Sequence, residues 1–388
     1  MKRYVSALLL FLLGLNVISP ALAAEKTSEL APKAKSAMLI EMDTGSVIYA
    51  KNADERLSPA SMTKIMTMLL IMEALDKKQI AMNDKVRTSE YAASMGGSQI
   101  FLEPGEEMTV QQMLKGIAIG SGNDASVAMA EKIAGSEEEF VAMMNTRARE
   151  LGLKNTKFQN ATGLPTSDHY STAHDMAVMG RELLKHKEIL KFTSLYEAYL
   201  RENTDKKFWL VNTNRLVKFY PGVDGLKTGF THEAKYCLTA TAQKNNMRVI
   251  AVVFGAENPK ERNAQITHML DYAFAKYQST KMYKLNQPLA LLPIEKGQKK
   301  KVSLVTSEPI SLLTKKGYQK VDIRPKVIVK KDVQAPIKKG QKLGKLQIIK
   351  GNKVIQESDL VASESIKRAS WFDLYKRSFG MFTHAGRE

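Results

Sequence analysis

The sequence predicts an α+β protein in which an antiparallel sheet packs against a cluster of helices, followed by a small all-β domain and a terminal amphipathic helix. Three observations support this class. Strand patterns stand on both sides of a long helical region, which is typical of segregated helices and an antiparallel sheet. Residues 284–360 hold 18 Lys and Arg against 6 Asp and Glu, among short apolar runs. From residue 363 onward, aromatic and basic residues recur at helical spacing.

Composition narrows the possible functions. The 388 residues suffice for two domains of ordinary size, and the formal net charge is +18. The single cysteine, Cys237, excludes an intramolecular disulfide and a cysteine-based structural zinc site. His169 and His174 offer too few ligands for another metal site, so neither a metal nor a cofactor is expected. The basic segment 284–360 lacks a pattern of interleaved aromatic residues, so no nucleic-acid partner is expected.

The first residues have the pattern of a secretory signal. Lys2 and Arg3 precede the apolar run 7–15, and Pro20-Ala21-Leu22-Ala23 follows with small residues at a cleavage position. We therefore expect a signal peptide over residues 1–23, with an uncleaved anchor as the alternative. Export without disulfides suits a protein on the outer face of a bacterial cytoplasmic membrane.

The predicted catalytic domain covers residues 24–282 and begins with a hairpin. Residues 35–50 alternate like two strands around Asp43-Thr44-Gly45. Helical periodicity dominates from Pro59 to about Arg181, and Ser136 with Glu139 predicts a capping box.

The pattern returns to strands after Pro221. The runs "YCLTATA" and "VIAVVFGA", separated by Asn245-Asn246, predict adjacent antiparallel strands. Residues 259–277 predict a closing helix.

Residues 283–362 predict a small basic β domain, because short apolar runs alternate with Gly, Pro and Lys. Residues 363–388 predict an amphipathic helix that lies in an anionic membrane interface. Its apolar face would comprise Trp371, Phe372, Tyr375, Phe379 and Phe382. The alternative is a helix docked on the β domain.

The apolar stretch 57–75 contains the first candidate for catalysis. Ser58 and Pro59 predict a helix start, which places Ser61 in the first turn with Lys64 on the same face. Burial would lower the pKa of the lysine, and a neutral lysine can take a proton from a serine hydroxyl. A surface serine with a lysine that extends to solvent remains the alternative.

Two further motifs follow in the chain. Ser121-Gly122-Asn123 lies between two helical stretches and could project into a cleft, although such a tripeptide is also a common turn. Lys227-Thr228-Gly229 stands where the strands begin, and there a cation and a hydroxyl could bind an anionic group. Gly229 would let a ligand's backbone approach the strand closely.

Together and in this order, Ser-x-x-Lys, Ser-x-Asn and Lys-Thr-Gly match a known set of motifs for penicillin-binding proteins. The sequence resembles the low-molecular-mass penicillin-binding proteins, the serine D-alanyl-D-alanine carboxypeptidases, over about residues 30–280. "PASMTKIMT", "SGNDASVAMAE" and "VDGLKTGFT" carry the resemblance. Two other segments, "ENTDKKFWLVNTN" and "PKERNAQ", look closest to the sporulation-type enzyme of Bacillus-like bacteria. That likeness implies a place between the forespore and mother-cell membranes.

The resemblance implies a role for each motif residue. Ser61 is the nucleophile that forms an acyl-enzyme, Lys64 is its general base, and Ser121 with Lys227 relays the proton to the leaving D-alanine. The implied substrate contacts are Asn123 for the amide side, Gly229 for backbone approach, and Thr228 with Arg215 for the terminal carboxylate. The implied oxyanion hole consists of the backbone N–H groups of Ser61 and Phe230. β-Lactams would acylate the same serine.

The leading hypothesis is removal of the terminal D-alanine from peptidoglycan stem peptides. A β-lactamase is disfavoured, since the sequence lacks a Glu-x-x-Leu-Asn string. A D,D-endopeptidase that cuts cross-links would share every motif, so it stays open. A non-catalytic muropeptide-binding wall protein is the third possibility. Lys235 departs from the family, where many relatives have glycine.

Overall fold

The computed structural model describes residues 29–317 and 323–371. The predicted signal peptide, and Phe372, Tyr375, Phe379 and Phe382 of the predicted anchor helix, lie outside the described residues. Trp371 is the last described residue, and 78% of its side chain is exposed. Within the two described ranges, no helix is long and apolar enough to cross a bilayer.

The part of the described chain up to α9 (Pro259–Lys276) is built on a five-stranded antiparallel sheet with the order β2-β1-β9-β8-β7. The hairpin around Asp43-Thr44-Gly45 and the strand pair around Asn245-Asn246 are both confirmed. Two small antiparallel pairs of strands, β3–β4 and β5–β6, lie outside this sheet. The strands are β1 (Ser36–Glu41), β2 (Val47–Lys51), β3 (Lys85–Arg87), β4 (Glu107–Thr109), β5 (Glu197–Leu200), β6 (Phe208–Val211), β7 (Val223–Thr231), β8 (Lys235–Lys244) and β9 (Met247–Ala256).

Helices cover both faces of the sheet. The closing helix α9 packs on β8 and β9 on one face, and α6 packs on β1 and β9 on the other face, next to α1. The helices are α1 (Lys64–Asp76), α2 (Glu90–Ala93), α3 (Val110–Ala118), α4 (Asn123–Ala134), α5 (Glu137–Glu150), α6 (Ala173–Leu183), α7 (Leu190–Thr193), α8 (Leu216–Phe219) and α9 (Pro259–Lys276). Each face of the sheet therefore has its own hydrophobic core, and the core on the side of α1 and α6 is larger than the core on the side of α9.

Local sequence signals set several helix ends. Gly135 ends α4 at φ +88°, a left-handed conformation that favours glycine. Ser136 then caps α5, because its side chain accepts a hydrogen bond from the Glu139 N–H at 3.1 Å, which is the N-cap half of the predicted capping box. Helix α1 is buried nearly all round, which explains its continuous apolar sequence.

The predicted start of α1 is wrong in one respect. Ser58 does not cap it; the chain first forms a 3₁₀ turn, Ala60–Thr63, and the α-helix begins at Lys64. Ala60 adopts φ +47°, which an ordinary helix start does not require. The reason is tertiary, because two other segments press on this turn from both sides, as described below.

The part that follows α9 consists of strands, as the composition predicted. β10 pairs with β13, and five others form an antiparallel sheet with the order β11-β12-β16-β15-β14 around a separate apolar core. The predicted boundary at residues 282 and 283 stays a prediction. The strands are β10 (Tyr277–Tyr283), β11 (Pro288–Pro293), β12 (Lys301–Thr306), β13 (Ile310–Lys315), β14 (Ile323–Val329), β15 (Lys342–Lys350) and β16 (Lys353–Ala362).

Candidate active site

Two glycines hold the turn that carries Ser61. A Cβ atom on Gly229 would lie 2.6 Å from the Pro59 carbonyl oxygen, and one on Gly163 would lie 1.8 Å from the Ala60 carbonyl oxygen. Only glycine at both positions lets β7 and the loop at residue 163 approach the turn this closely. Gly229 therefore accommodates the turn that carries Ser61, and its predicted role in the approach of a ligand's backbone stays a prediction.

Lys64 projects from the first residue of α1 into a closed polar cluster. Its Nζ lies 3.1 Å from Ser61 Oγ, 2.6 Å from Asn123 Oδ1 and 2.7 Å from the Thr162 carbonyl oxygen. The side chain is fully buried. The amine of Lys64 therefore contacts three separate parts of the chain: the turn that carries Ser61 (the catalytic turn), the start of α4 and the loop at residue 162.

The environment of Lys64 favours the neutral amine. Burial holds the pKa of Lys64 well below its usual value, and the nearby cation of Lys227 lowers it further, against the opposing charge of Asp124. A neutral lysine keeps a lone pair that can accept the proton of Ser61. This arrangement supports the chemistry that the sequence predicted for the pair.

Ser121 and Asn123 lie at the connection between α3 and α4. Ser121 is buried at φ +63°, a strained conformation for a residue with a Cβ atom. The Asn123 side chain bridges Lys64 and the Gly96 carbonyl oxygen, to which its Nδ2 donates at 2.7 Å. Both hydrogen bonds are internal, so a contact between Asn123 and the substrate amide stays a prediction.

Lys227 and Thr228 lie side by side on β7, at the edge of the main sheet. Lys227 is almost fully buried, and burial together with the nearby charge of Arg262 lowers its pKa to about 7. Thr228 Oγ1 donates to Thr213 Oγ1 at 2.7 Å, which joins β7 to the segment after β6. A lysine that titrates near neutrality suits a proton relay.

Arg215 and Phe230, the other two predicted site residues, lie at the edge of the cluster around Lys64. Arg215 is exposed, and its Nη1 donates to Tyr196 Oη at 2.6 Å. The Phe230 ring is 46% exposed and stacks against Tyr236 with centroids 4.4 Å apart. Their roles toward a substrate carboxylate and in the oxyanion hole stay predictions.

Sequence reasoning missed the loop that supplies the third partner of Lys64. Asn160 Oδ1 accepts hydrogen bonds from the N–H and hydroxyl of Thr162 and from the Gly163 N–H, at 3.1, 3.1 and 2.7 Å. This turn aims the Thr162 carbonyl at the amine. An Asn followed three residues later by Gly was the available signal.

Arg262 was also missed. It is 6% exposed near the start of α9, and its guanidinium donates to the Asn263 side chain. Among the described residues no carboxylate forms an ion pair with it. Its charge therefore acts on Lys227, across the sheet, whose pKa it helps to lower.

His169 has a structural position beneath the turn. Its Nδ1 accepts from the Gln159 N–H at 3.2 Å, so the proton on Nε2 is donated to Thr63 Oγ1, 2.8 Å away. Burial lowers its pKa to about 4. His174 instead pairs with Asp175. Across the described ranges, no three His, Cys, Asp or Glu side chains cluster as metal ligands.

Comparisons with known proteins agree with this geometry. A family model described as D-alanyl-D-alanine carboxypeptidase matches residues 23–258, and one described as penicillin-binding protein 5, C-terminal domain, matches residues 277–368. The D-alanyl-D-alanine carboxypeptidase DacF of Bacillus subtilis is 63% identical over 386 residues, 99% of either chain. DacA of Escherichia coli is 34% identical over 346 residues, 87% of this chain and 85% of the relative.

A solved structure, penicillin-binding protein 5 from Haemophilus influenzae, superposes with a TM-score of 0.69 at 31% identity, covering 87% of this chain and 98% of that one. The fold and the pair formed by Ser61 and the buried Lys64 thus define a serine hydrolase of the penicillin-binding-protein class. More particularly, the chain belongs to the peptidase S11 family of D-alanyl-D-alanine carboxypeptidases. The family resemblance and the α+β fold class predicted from the motifs are confirmed.

Proposed function

We propose that the protein removes the terminal D-alanine from peptidoglycan pentapeptide stems through an acyl-enzyme on Ser61. The observation that carries the proposal is the contact of 3.1 Å between Ser61 Oγ and the buried amine of Lys64. A serine paired with a lysine of lowered pKa is an activated nucleophile. The family to which the chain belongs supports the choice of substrate.

In the proposed reaction, Ser61 Oγ attacks the carbonyl carbon between the two D-alanines, and its proton passes to Lys64. The backbone N–H groups of Ser61 and Phe230 stabilise the oxyanion. When the C–N bond breaks, the departing amine receives a proton relayed by Ser121 and Lys227. Water then attacks the acyl-enzyme, the ester bond breaks, and Ser61 regains its proton.

Four further contacts complete the proposed site. Thr228 and Arg215 bind the terminal carboxylate, Asn123 faces the amide side, and Gly229 keeps β7 close to Ser61. β-Lactams resemble the D-Ala-D-Ala amide, so they acylate Ser61 and block the site.

We place the protein at the outer face of the bacterial cytoplasmic membrane, exported through residues 1–23. Residues 363–388 would bind the anionic membrane surface, because their aromatic and basic residues suit an interfacial helix. The likeness to a sporulation-type enzyme supports a place between forespore and mother-cell membranes. Deleting residues 363–388 is expected to release the protein from vesicles that contain anionic lipid; unchanged binding would contradict the anchor.

Release of D-alanine from an acyl-D-Ala-D-Ala peptide tests the proposed reaction. We expect release by the protein and none by its Ser61→Ala variant. If the wild type releases no D-alanine although penicillin still acylates its Ser61, the proposed carboxypeptidase activity on this peptide is contradicted. Cleavage of cross-linked wall by the same preparation would then identify an endopeptidase.

A further inference from the structure

One end of the sheet β11-β12-β16-β15-β14 carries a concentration of positive charge that the proposed reaction does not use. Three segments form this end, residues 294–301, 329–342 and 363–371, and together they hold 11 Lys and Arg against 3 Asp and Glu. This excess is close to half of the net charge of +18 of the whole chain. We call the surface formed by these three segments the basic end.

Backbone hydrogen bonds join the three segments of the basic end. The Glu295 N–H donates to the Val333 carbonyl oxygen at 2.9 Å. Ile337 and Ile366 form an antiparallel bridge in which each N–H donates to the other's carbonyl oxygen, at 2.8 and 2.9 Å. The cations of the basic end therefore project from one folded surface.

The positive charges of the basic end are largely uncompensated. All 11 Lys and Arg are exposed. Within the part of the chain that the structure describes, only two of them form ion pairs, Lys299 with Glu364 and Lys342 with Asp359. Like charges on one surface repel one another, so binding to a polyanionic surface would remove an unfavourable interaction.

The basic end lies opposite the contact with the part of the chain that precedes β10. Strand β12 begins at Lys301, in the basic end, and ends at Thr306. The chain then turns to contact the earlier part, where Ser311 Oγ donates to Asp43 Oδ2 at 2.7 Å. The two ends of a strand of this length lie about 17 Å apart. An extended partner can therefore approach the basic end without meeting that contact.

The chain leaves the described residues at the basic end. Arg368 pairs with Gly297 in an isolated bridge, and Trp371, 78% exposed, is the last described residue. Chain geometry limits the separation of Arg368 and Trp371 to about 11 Å. Residues 372–388, which carry the other aromatic residues of the proposed membrane anchor, therefore follow directly from this surface.

This position brings the basic end close to the membrane that the proposed anchor would bind. Tryptophan side chains favour the headgroup level of a bilayer. With Trp371 at that level, the basic end begins within about 11 Å of the headgroups. This distance is comparable to the screening length of about 8–10 Å at moderate salt, so anionic lipids attract cations placed there.

We propose that the basic end is itself a binding surface for anionic phospholipid headgroups, separate from the aromatic anchor that follows it. Its three segments contact the headgroups together, so the sheet stands on the membrane and carries the earlier part of the chain at its far end. Electrostatic attraction is thereby added to apolar insertion, and two such signals hold a protein on a membrane far better than one. The inference rests on the proposed membrane location and is independent of the proposed reaction.

Removal of charge from the basic end of the full-length chain tests the inference. The test variant replaces four exposed lysines that have no described ion pair: Lys330→Gln, Lys331→Gln, Lys338→Gln and Lys339→Gln. We expect it to bind vesicles of phosphatidylglycerol and phosphatidylcholine in equal parts at least about tenfold more weakly than the wild type, since each cation near such a surface contributes about fivefold. Added salt should shrink this difference, and vesicles of phosphatidylcholine alone should show none.

Two further variants serve as controls. The first removes the same number of exposed lysines from the other end of the same part of the chain: Lys281→Gln, Lys284→Gln, Lys350→Gln and Lys353→Gln. It has the net charge of the test variant and should bind the acidic vesicles as the wild type does. The second carries arginine at the four test positions. It should also bind like the wild type, because it keeps the charges while altering the same side chains.

Equal binding of the acidic vesicles by the test variant and the first control would overturn the inference. A test variant that binds these vesicles like the wild type but no longer binds soluble polyphosphate would also overturn it, in favour of an anionic wall polymer. Release of D-alanine from an acyl-D-Ala-D-Ala peptide should be the same in all these variants. The inference can therefore fail while the proposed reaction stands, and lysine-dependent binding without D-alanine release would contradict only the reaction.

Discussion

The amine of Lys64 lies 3.1 Å from the hydroxyl oxygen of Ser61. The other two partners of the amine, Asn123 Oδ1 and the Thr162 carbonyl, can only accept hydrogen bonds. A neutral amine has two N–H donors and one lone pair, so the two acceptors leave the lone pair for the Ser61 proton. The cluster therefore fits the form of lysine that acts as a base.

A carboxylate in place of the Asn123 amide should impair this base. Asn123→Asp puts a negative charge beside Lys64, which favours the ammonium and raises its pKa. We expect acylation by a fluorescent penicillin to slow about tenfold or more at neutral pH and to recover as the pH rises. Stopped-flow acylation rates across pH 6–10 measure this.

Asn123→Ala is the control, because it removes the same hydrogen bond without adding a charge. Its pH profile should keep the wild-type midpoint even if its rates are lower. An Asp variant with an unshifted midpoint would show that the charge of Lys64 does not limit acylation.

Replacing Lys227 by methionine should stabilise the protein in a pH-dependent manner. The pKa of Lys227 is about 7 in the folded protein, against about 10.4 in an unfolded chain. Between these values the unfolded state binds more protons, so the free energy of unfolding rises with pH. Lys227→Met removes this dependence, and we expect a gain of about 2–4 kcal/mol at pH 6.5 that disappears near pH 10.

Urea denaturation at both pH values measures the difference. D-Alanine release should be lost in Lys227→Met, because the proposed proton relay needs the lysine even though its burial lowers the stability of the fold. Denaturation curves of the wild type and the variant that differ by the same amount at both pH values would contradict the assigned pKa.

Gly229→Ala should disrupt the catalytic turn. Its Cβ would meet the Pro59 carbonyl oxygen at 2.6 Å, and backbone cannot move as easily as a side chain. We expect a loss of about 1–3 kcal/mol in stability and a fall of at least about 10²-fold in acylation, because Ser61 moves with the turn.

Gly180→Ala provides the comparison. Its Cβ would lie 3.1 Å from a flexible Leu226 methyl group and at ordinary van der Waals distances, 3.5 and 3.6 Å, from the methyl groups of Thr239 and Ile250, so stability and acylation should change little. If the two alanine variants acylate equally well, close approach at Gly229 is not what positions Ser61.

His169 should make the fold sensitive to acid. Its pKa is about 4 when folded and about 6.5 when unfolded. In this window the unfolded state binds the extra proton, so stability is lost as the pH falls from 6.5 to 4. We expect His169→Gln to lose less stability than the wild type over that window, by about 2–3 kcal/mol. Equal losses, measured by urea denaturation at pH 4.5 and 7, would contradict this.

Most of the fold could be predicted from the sequence, because local patterns fix it. Alternation with turn residues located β1, β2, β8 and β9, and helical periodicity located α5 and α9. The start of α1 was predicted wrongly, since its 3₁₀ turn depends on tertiary contacts with Gly163 and Gly229. A local cap signal at Ser58 carries no information about those contacts.

The motif residues were predictable from their order in the chain, but the residues that position them or shift their pKa values were not. Thr162 acts through its backbone carbonyl, which any residue possesses, and Arg262 acts through burial, which its sequence neighbours do not reveal. The aim of Asn123 toward Lys64 likewise follows only from how α1 and α4 pack.

The pH dependence of Ser61 acylation in the wild type and in Lys64→Arg tests the central claim most directly. Arginine keeps the cation but stays protonated, so it cannot serve as a base. We predict a wild-type rate that rises with pH and levels off once Lys64 is neutral, at a pH well below the usual pKa of a lysine, and a variant slower by about 10²- to 10⁴-fold at every pH. Mass spectrometry should place the wild-type adduct on Ser61. A Lys64→Arg variant that acylates at the wild-type rate, or an adduct on another residue, would contradict the account.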